Sequence, residues 1–176
     1  MTTEETTGGR PRAVSVRELY VNRRYEEAFA AALALVKRDS NHTWAYCVCA
    51  SCLAQMGRAA EGLAVAEQAV ALEPTFPLAL TSRALCLHRL GRDAEAEADY
   101  ERALALGSDD FRVYYNIACY WAERGDERKC RGNFALAVAL MRAGDAGEIS
   151  KDPDLARYHG REWFKDLLAE AKSKKA

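Results

Sequence analysis

Large and small apolar residues recur along this chain at the spacing of one face of an α-helix. Two stripes of this kind consist of Tyr46, Cys49, Ala50 and Leu53, and of Tyr114, Ile117, Ala118 and Trp121. A glycine follows each stripe a few residues later, where it can adopt the left-handed conformation that ends a helix. A second apolar stripe then begins, so each unit is predicted to be a helix, a tight turn and a second helix.

The whole pattern repeats with a period of 34 residues. A shift by one period superimposes the turn glycines Gly57, Gly91 and Gly125, and also the alanines Ala50, Ala84 and Ala118. Three units therefore follow one another without a gap, at 43–76, 77–110 and 111–144. Pro74 and Pro77 are expected to separate the first two units, and Ser108 and Asp109 to cap the helix that opens the third.

The residues at the repeated positions resemble those of the tetratricopeptide repeat family, whose unit also has 34 residues. The third unit matches the family's pattern of aromatic, small and turn-glycine positions through Tyr114, Ala118, Trp121, Gly125, Cys130, Phe134 and Ala137. Two positions depart from it, since Arg142 stands where a proline is usual and Arg83 where an apolar residue is usual. The resemblance implies an all-α fold, a right-handed superhelical solenoid of helical hairpins.

The chain before the first complete unit is expected to form a partial unit over 14–42 within a repeat array of about four units. The residues that keep the register there are Tyr25, Ala28 and Ala32. The first helix is expected to begin near Val16, because Ser15 and Glu18 have the spacing of a capping box. Residues 1–13 are expected to be a flexible tail.

The period ends after residue 144, and a closing segment with a capping helix is expected over 145–171, followed by a flexible tail at 172–176. A stack of repeats leaves its last apolar face uncovered, so a terminal helix that covers this face is expected. The apolar residues of that helix are Trp163, Phe164, Leu167 and Leu168. The stretch also resembles a closing segment common in bacterial repeat proteins of this type, an Asp-Pro-Asp-Leu run followed by Phe-x-x-Leu-Leu.

Composition excludes several classes of function. The formal net charge is -1 and there is no long run of Lys or Arg, which argues against a nucleic-acid-binding protein. No stretch approaches the roughly 18 apolar residues that a membrane span requires, so we expect no membrane insertion and a cytoplasmic protein. The six cysteines are expected to be reduced thiols.

In the repeat family the first helices of successive units line a concave groove, and binding is expected there. The candidate groove residues adjoin the buried stripes of the first helices: Trp44, Cys47, Ser51, Gln55, Thr81, Leu85, His88, Arg89, Arg112, Tyr115, Asn116, Cys119 and Glu123. Their mixture of side chains suits an extended peptide segment or a helix of a partner protein, with Trp44 as the expected main anchor. The predicted function is a non-catalytic protein-interaction scaffold or adaptor.

Within the family, an asparagine on this face can hold a ligand backbone, and basic residues can hold a terminal carboxylate. Asn116 and Arg112 are the candidates for these roles in this chain. A full carboxylate clamp for Hsp70 or Hsp90 tails is not expected, since the matching positions hold Cys47, Ser51 and Ser82. Asn116 has an alternative role in which it caps or bridges neighbouring helices.

Two alternatives to the adaptor function remain open. The cluster of Cys47, Cys49 and Cys52 could make the chain a regulatory subunit that responds to oxidation or binds a metal, although Cys47 and Cys49 point about 200° apart on a helix. Self-association is the second alternative, with the closing helix pairing two copies through Trp163, Phe164 and Leu168.

Catalysis, metals and cofactors are not expected. No two of the three histidines have metal-ligand spacing, and the pair of His88 and Cys119 has no visible orienting acid. The acidic series Asp93, Glu95, Glu97, Asp99 and Glu101 is expected to form a solvated outer face, favoured near its start by the helix dipole.

Overall fold

The computed structural model of the protein describes residues 15–142 and 149–174. Over these residues the chain forms nine α-helices and two short 3-10 helices, and no strand. They are α1 (Val16–Val21), α2 (Tyr25–Arg38), α3 (Thr43–Gln55), α4 (Ala59–Leu72), α5 (Pro77–Arg89), α6 (Asp93–Leu106), α7 (Phe111–Arg124), α8 (Glu127–Leu140), η1 (Ile149–Lys151), η2 (Pro153–Tyr158) and α9 (Glu162–Ser173). The tail expected at 1–13 lies outside the described residues.

The helix boundaries confirm the period of 34 residues. Helices α3, α5 and α7 begin at 43, 77 and 111, and their partners α4, α6 and α8 begin at 59, 93 and 127. The turn glycines Gly57, Gly91 and Gly125 have φ angles of 78°, 74° and 79°. These angles lie in the left-handed region that favours glycine, which is why each hairpin turns at the same place.

Small side chains allow the hairpins to stack closely. Each first helix packs against its own second helix and against the first helix of the next hairpin. Ala50, Ala84 and Ala118 occupy equivalent positions one period apart, and all three are fully buried. A larger side chain at any of them would force the neighbouring helices apart. The result is the all-α helical repeat solenoid that the sequence predicts.

The second hairpin shows why Arg83 is tolerated where an apolar residue is usual. Its guanidinium donates two hydrogen bonds of 2.7 Å to the carboxylate of Asp99, which joins α5 to α6. Asp99 is 6% exposed. The expectation that the whole acidic series lies on a solvated face is therefore wrong for Asp99, which pairs inside the hairpin.

The sequence predicts the caps of two helices, with different outcomes. The Ser15–Glu18 capping box is confirmed, since the Ser15 backbone N–H donates to Glu18 Oε2 at 2.8 Å and the Glu18 N–H donates to Ser15 Oγ at 3.1 Å. At the start of α7, however, the N-cap is Asp110 and not the predicted Ser108 or Asp109.

At the C-terminal end, α9 packs against α8 and covers the last apolar face. The ring of Phe164 stacks on that of Phe134 with 5.1 Å between centroids, and both Phe164 and Leu168 are buried within the chain. These two side chains are therefore not presented to a second copy. Helix α9 also runs to Ser173, beyond the predicted start of the tail at residue 172.

Candidate functional site

A cleft lies on the inner side of the helical array and encloses about 710 Å³ of empty space, open solvent included. The inner helices α3, α5 and α7 supply much of its lining, with Tyr100 of α6. The remainder comes from the two ends of the chain. These residues are Tyr20, Val21, Arg23 and Tyr25 from the N-terminal hairpin and Ile149, Asp152 and Asp154 from the segment around η1 and η2.

The structure brings most of the predicted groove residues together. Nine of them line the cleft, namely Gln55, Leu85, His88, Arg89, Arg112, Tyr115, Asn116, Cys119 and Glu123. Cys47 and Ser51 lie instead beside a smaller neighbouring cavity of about 220 Å³, open solvent included, which Arg112 and Asn116 also border. Trp44 and Thr81 line neither space.

Trp44 and Thr81 are held in other contacts. The guanidinium of Arg112 lies 5.1 Å from the centroid of the Trp44 ring, a cation–π arrangement, and is also hydrogen-bonded to the carboxylate of Asp110. Thr81 is fully buried, and its hydroxyl donates to the Leu78 carbonyl at 3.2 Å. Trp44 is therefore held in a contact with Arg112 and does not line the cleft.

Sequence reasoning missed the residues that the two chain ends contribute. Arg23 Nη1 lies 3.0 Å from Asp152 Oδ1, although the two residues are 129 positions apart. The hydroxyl of Tyr115 donates to the other oxygen of Asp152 at 2.7 Å. The Asp-Pro-Asp-Leu run was visible in the sequence, but nothing in the repeat pattern places it inside the groove.

Three charged side chains that line the cleft, His88, Arg89 and Glu123, belong to one ion-pair network. His88 contacts Asp93 Oδ1 through Nδ1 at 2.7 Å and Glu123 Oε2 through Nε2 at 2.8 Å. Arg89 Nη1 contacts the other oxygen of Glu123 at 2.7 Å. The hydrogen bond to Glu123 is the main reason that the pKa of His88 is raised, and the same bond lowers the pKa of Glu123.

Orienting acids for His88 are thus present, contrary to the expectation from sequence. They do not create a nucleophile, because both ring nitrogens of His88 are held by carboxylates. Burial also raises the pKa of Cys119 well above its usual value, which keeps this thiol protonated at neutral pH. The arrangement is that of an ion-pair network and not of a catalytic pair.

Two amide side chains in the cleft have no hydrogen-bond partner among the described residues. They are Gln55 at the end of α3 and Asn116 on α7, and both are partly exposed. The alternative in which Asn116 bridges neighbouring helices is therefore wrong for the part of the chain that the structure describes. Each amide offers a donor and an acceptor to whatever enters the cleft.

The cysteine cluster of α3 lacks the properties of a reactive or metal-binding site. Cys47, Cys49 and Cys52 are all buried, and burial raises their pKa values to about 12, 11 and 12. Because the thiolate is the form that binds metal and reacts with oxidants, these groups are disfavoured for both roles. Within 15–142 and 149–174 no three His, Cys, Asp or Glu residues come together as a metal site.

Comparison with known proteins supports the repeat fold. Residues 78–109 match the family model described as tetratricopeptide repeat. A thermophilic TPR protein of Thermus thermophilus, TTC0263, has 21% identity and a TM-score of 0.56, over 89% of this chain and 77% of its own. The APC/C Cut9-Hcn1 hetero-tetramer contains a chain with 14% identity and a TM-score of 0.58, over 92% of this chain and 32% of that one.

A third structure, MamA, has 15% identity and a TM-score of 0.48, over 90% of this chain and 95% of its own. A search of curated proteins found no match. In the described residues, no helix is both long and apolar enough to span a bilayer.

Proposed function

Since residues 78–109 match the tetratricopeptide repeat model and the described chain has the fold of such repeat proteins, we propose that this chain is a non-catalytic scaffold or adaptor whose cleft binds an extended peptide segment of a partner protein. Proteins with this fold generally mediate protein–protein interactions, and the proposal assigns that role to the inner cleft. The observation that carries it is a pair of amides, Gln55 and Asn116, which have no hydrogen-bond partner within 15–142 and 149–174 and lie in a cleft that also presents tyrosine and arginine side chains.

The chemistry of these amides suits a peptide backbone. An extended backbone alternates N–H donors and C=O acceptors, and a side-chain amide can satisfy one of each. Each such hydrogen bond contributes a net of about 0.5–1.5 kcal/mol, since water is displaced from both partners. Two of them therefore contribute about 1–3 kcal/mol to the binding free energy.

The two amides favour an extended segment over a helix. The backbone N–H and C=O groups inside a helix are already hydrogen-bonded to one another, whereas those of an extended segment are free to pair with Gln55 and Asn116.

A peptide library tests the proposal. Peptides selected from a displayed random library against the wild-type protein would be measured by fluorescence anisotropy against the double variant Gln55→Ala/Asn116→Ala. We expect the affinity to fall about 5- to 150-fold, from the two lost hydrogen bonds. Gln68→Ala, on the exposed face of α4, is the matched control and should leave the affinity unchanged. Equal binding to wild type and the double variant would contradict the proposal.

A further inference from the structure

A segment of the chain itself already occupies part of the cleft. Asp152 accepts contacts from Arg23 Nη1 at 3.0 Å and from the Tyr115 hydroxyl at 2.7 Å. Two residues later, Asp154 Oδ2 lies 3.5 Å from Arg89 Nη2. The Asp152 and Asp154 side chains are 14% and 18% exposed, so the carboxylates lie mostly within the site.

The two carboxylates pair with arginines that face the closing segment. Arg112 is already paired with Asp110, and His88 with Asp93 and Glu123. Arg23 contacts Asp152, while Arg89 contacts Asp154 and also Glu123. Without Asp152 and Asp154, the described lining leaves these two guanidinium groups the single carboxylate of Glu123. The closing segment therefore supplies negative charge to Arg23 and Arg89, and it does so from residues outside the repeats.

The carboxylate of Asp154 is held less favourably than that of Asp152. Burial, and then the negative charge of Asp152, raise the pKa of Asp154. Its partner Arg89 is shared with Glu123, which it contacts at the shorter distance of 2.7 Å. Asp152, in contrast, also stabilises its own turn, because its Oδ1 accepts from the Asp154 backbone N–H at 2.9 Å. Asp154 is thus the contact that an outside carboxylate can replace most easily.

Building on the proposed function, we infer that the closing segment is an internal ligand of the cleft and that the partner is an acidic peptide. Two carboxylates of that peptide take the places of Asp152 and Asp154 at Arg23, Tyr115 and Arg89. Binding is then a competition between two segments for one surface. The apparent affinity of the partner is lower than its intrinsic affinity by the fraction of molecules in which the cleft is free.

The experiment uses the full-length protein and a blocked synthetic peptide with the sequence of residues 150–155, Ser-Lys-Asp-Pro-Asp-Leu. Its affinity is measured by fluorescence anisotropy for wild type, for Asp152→Asn/Asp154→Asn, and for Arg23→Gln/Arg89→Gln. Hydrogen bonds to charged groups are stronger than those between neutral groups, so weakening the internal ligand should tighten probe binding at least about tenfold. The arginine variant should bind more weakly than wild type, and so should a probe with both aspartates replaced by asparagine.

Circular dichroism and thermal unfolding check that each variant is folded. If the double aspartate variant does not fold, the probe affinity of Asp154→Asn tests the inference, since this variant leaves the Asp152 cap and the Arg23 contact intact. A smaller tightening of the probe is expected for it. Unchanged probe affinity in the aspartate variants, or equal binding of the asparagine probe, overturns the inference.

This outcome is distinguishable from failure of the proposed function. One outcome is that library peptides lose affinity for Gln55→Ala/Asn116→Ala while the acidic probe binds Asp152→Asn/Asp154→Asn and wild type equally. This outcome supports the peptide-binding cleft and contradicts the internal ligand. The opposite outcome is that the acidic probe shows the expected affinity changes while library peptides bind Gln55→Ala/Asn116→Ala as tightly as wild type. This outcome supports binding of the acidic probe at Arg23 and Arg89 and contradicts the amide contacts.

Discussion

The ion pair of Arg83 and Asp99 gives the sharpest test of the packing argument. Arg83 replaces the apolar residue that is usual at its position, and its two hydrogen bonds to Asp99 join the helices of the second hairpin. We expect Arg83→Leu to restore the usual residue type and nevertheless destabilise the protein. The reason is that the carboxylate of Asp99, a residue only 6% exposed, loses its partner.

The magnitude follows from the burial of the two side chains. Removing one member of a fully buried ion pair costs about 3–5 kcal/mol, whereas surface pairs contribute about 1 kcal/mol or less. The Arg83 side chain is 27% exposed and that of Asp99 is 9% exposed, so solvent screens the pair in part. We therefore expect Arg83→Leu to lower the free energy of unfolding by about 2–3 kcal/mol. Arg83→Leu/Asp99→Leu, which buries no charge, should lie within about 1 kcal/mol of wild type or above it.

Urea unfolding monitored by far-UV circular dichroism measures these differences, with the m-value checked for constancy across the variants. Arg92→Leu is the matched control, because Arg92 pairs with Glu95 on the surface and both side chains are largely exposed. Its unfolding midpoint should stay close to that of wild type. The reasoning is refuted if Arg83→Leu unfolds like this control, or if the double variant is less stable than Arg83→Leu.

Three further predictions concern the helix contacts, the cleft and the thiols. Gly62→Ala places a Cβ 2.8 Å from the Ala50 carbonyl oxygen and should lower the free energy of unfolding by about 1–3 kcal/mol. Gly132→Ala has open space around the new Cβ and should raise it by up to about 1 kcal/mol. Thermal unfolding measures both variants, and equal shifts of their midpoints contradict the packing argument. Because the pKa of His88 is raised, its ion pairs stabilise the fold fully below pH about 6.5 and lose this effect as the pH rises through the folded-state pKa. Denaturant unfolding from pH about 6 to 8 should show a decline that His88→Gln flattens, and a parallel decline in both proteins contradicts the assignment. All six cysteines are buried and free, so a thiol reagent should react slowly with the native protein. After denaturation it should react with all six thiols. Rapid reaction of the α3 cysteines in the native protein would instead support the redox alternative.

The repeat array was predictable because its signals are local. A glycine at a fixed distance from an apolar stripe specifies where each hairpin turns, and the positive φ angles of Gly57, Gly91 and Gly125 confirm this. The capping box of α1 is equally local, since Ser15 and Glu18 are three residues apart. Stacking then places the first helices side by side, which is why nine of the thirteen predicted groove residues meet in one cleft.

The errors arose where the partner of a side chain lies on another helix. Helical spacing alone spreads the acidic series of α6 around the helix, but it does not show that Asp99 faces Arg83 of α5. In the same way, Trp44 adjoins the inner face of α3, yet Arg112 of α7 covers its ring. The side-chain direction follows from the period, whereas the neighbour that it meets depends on how far each hairpin is rotated against the next.

The chemistry of the cleft is therefore set by two kinds of residue with different origins. The repeats supply a surface whose position follows from the period and from which Arg89 faces the closing segment. The segments outside the repeats also line this surface, because Arg23 and Asp152 meet across it from the two ends of the chain. The repeat period predicts where the surface lies, but it does not predict which segments outside the repeats line it. Under the proposed function the binding preference depends on both, since the closing segment places two carboxylates against Arg23, Tyr115 and Arg89.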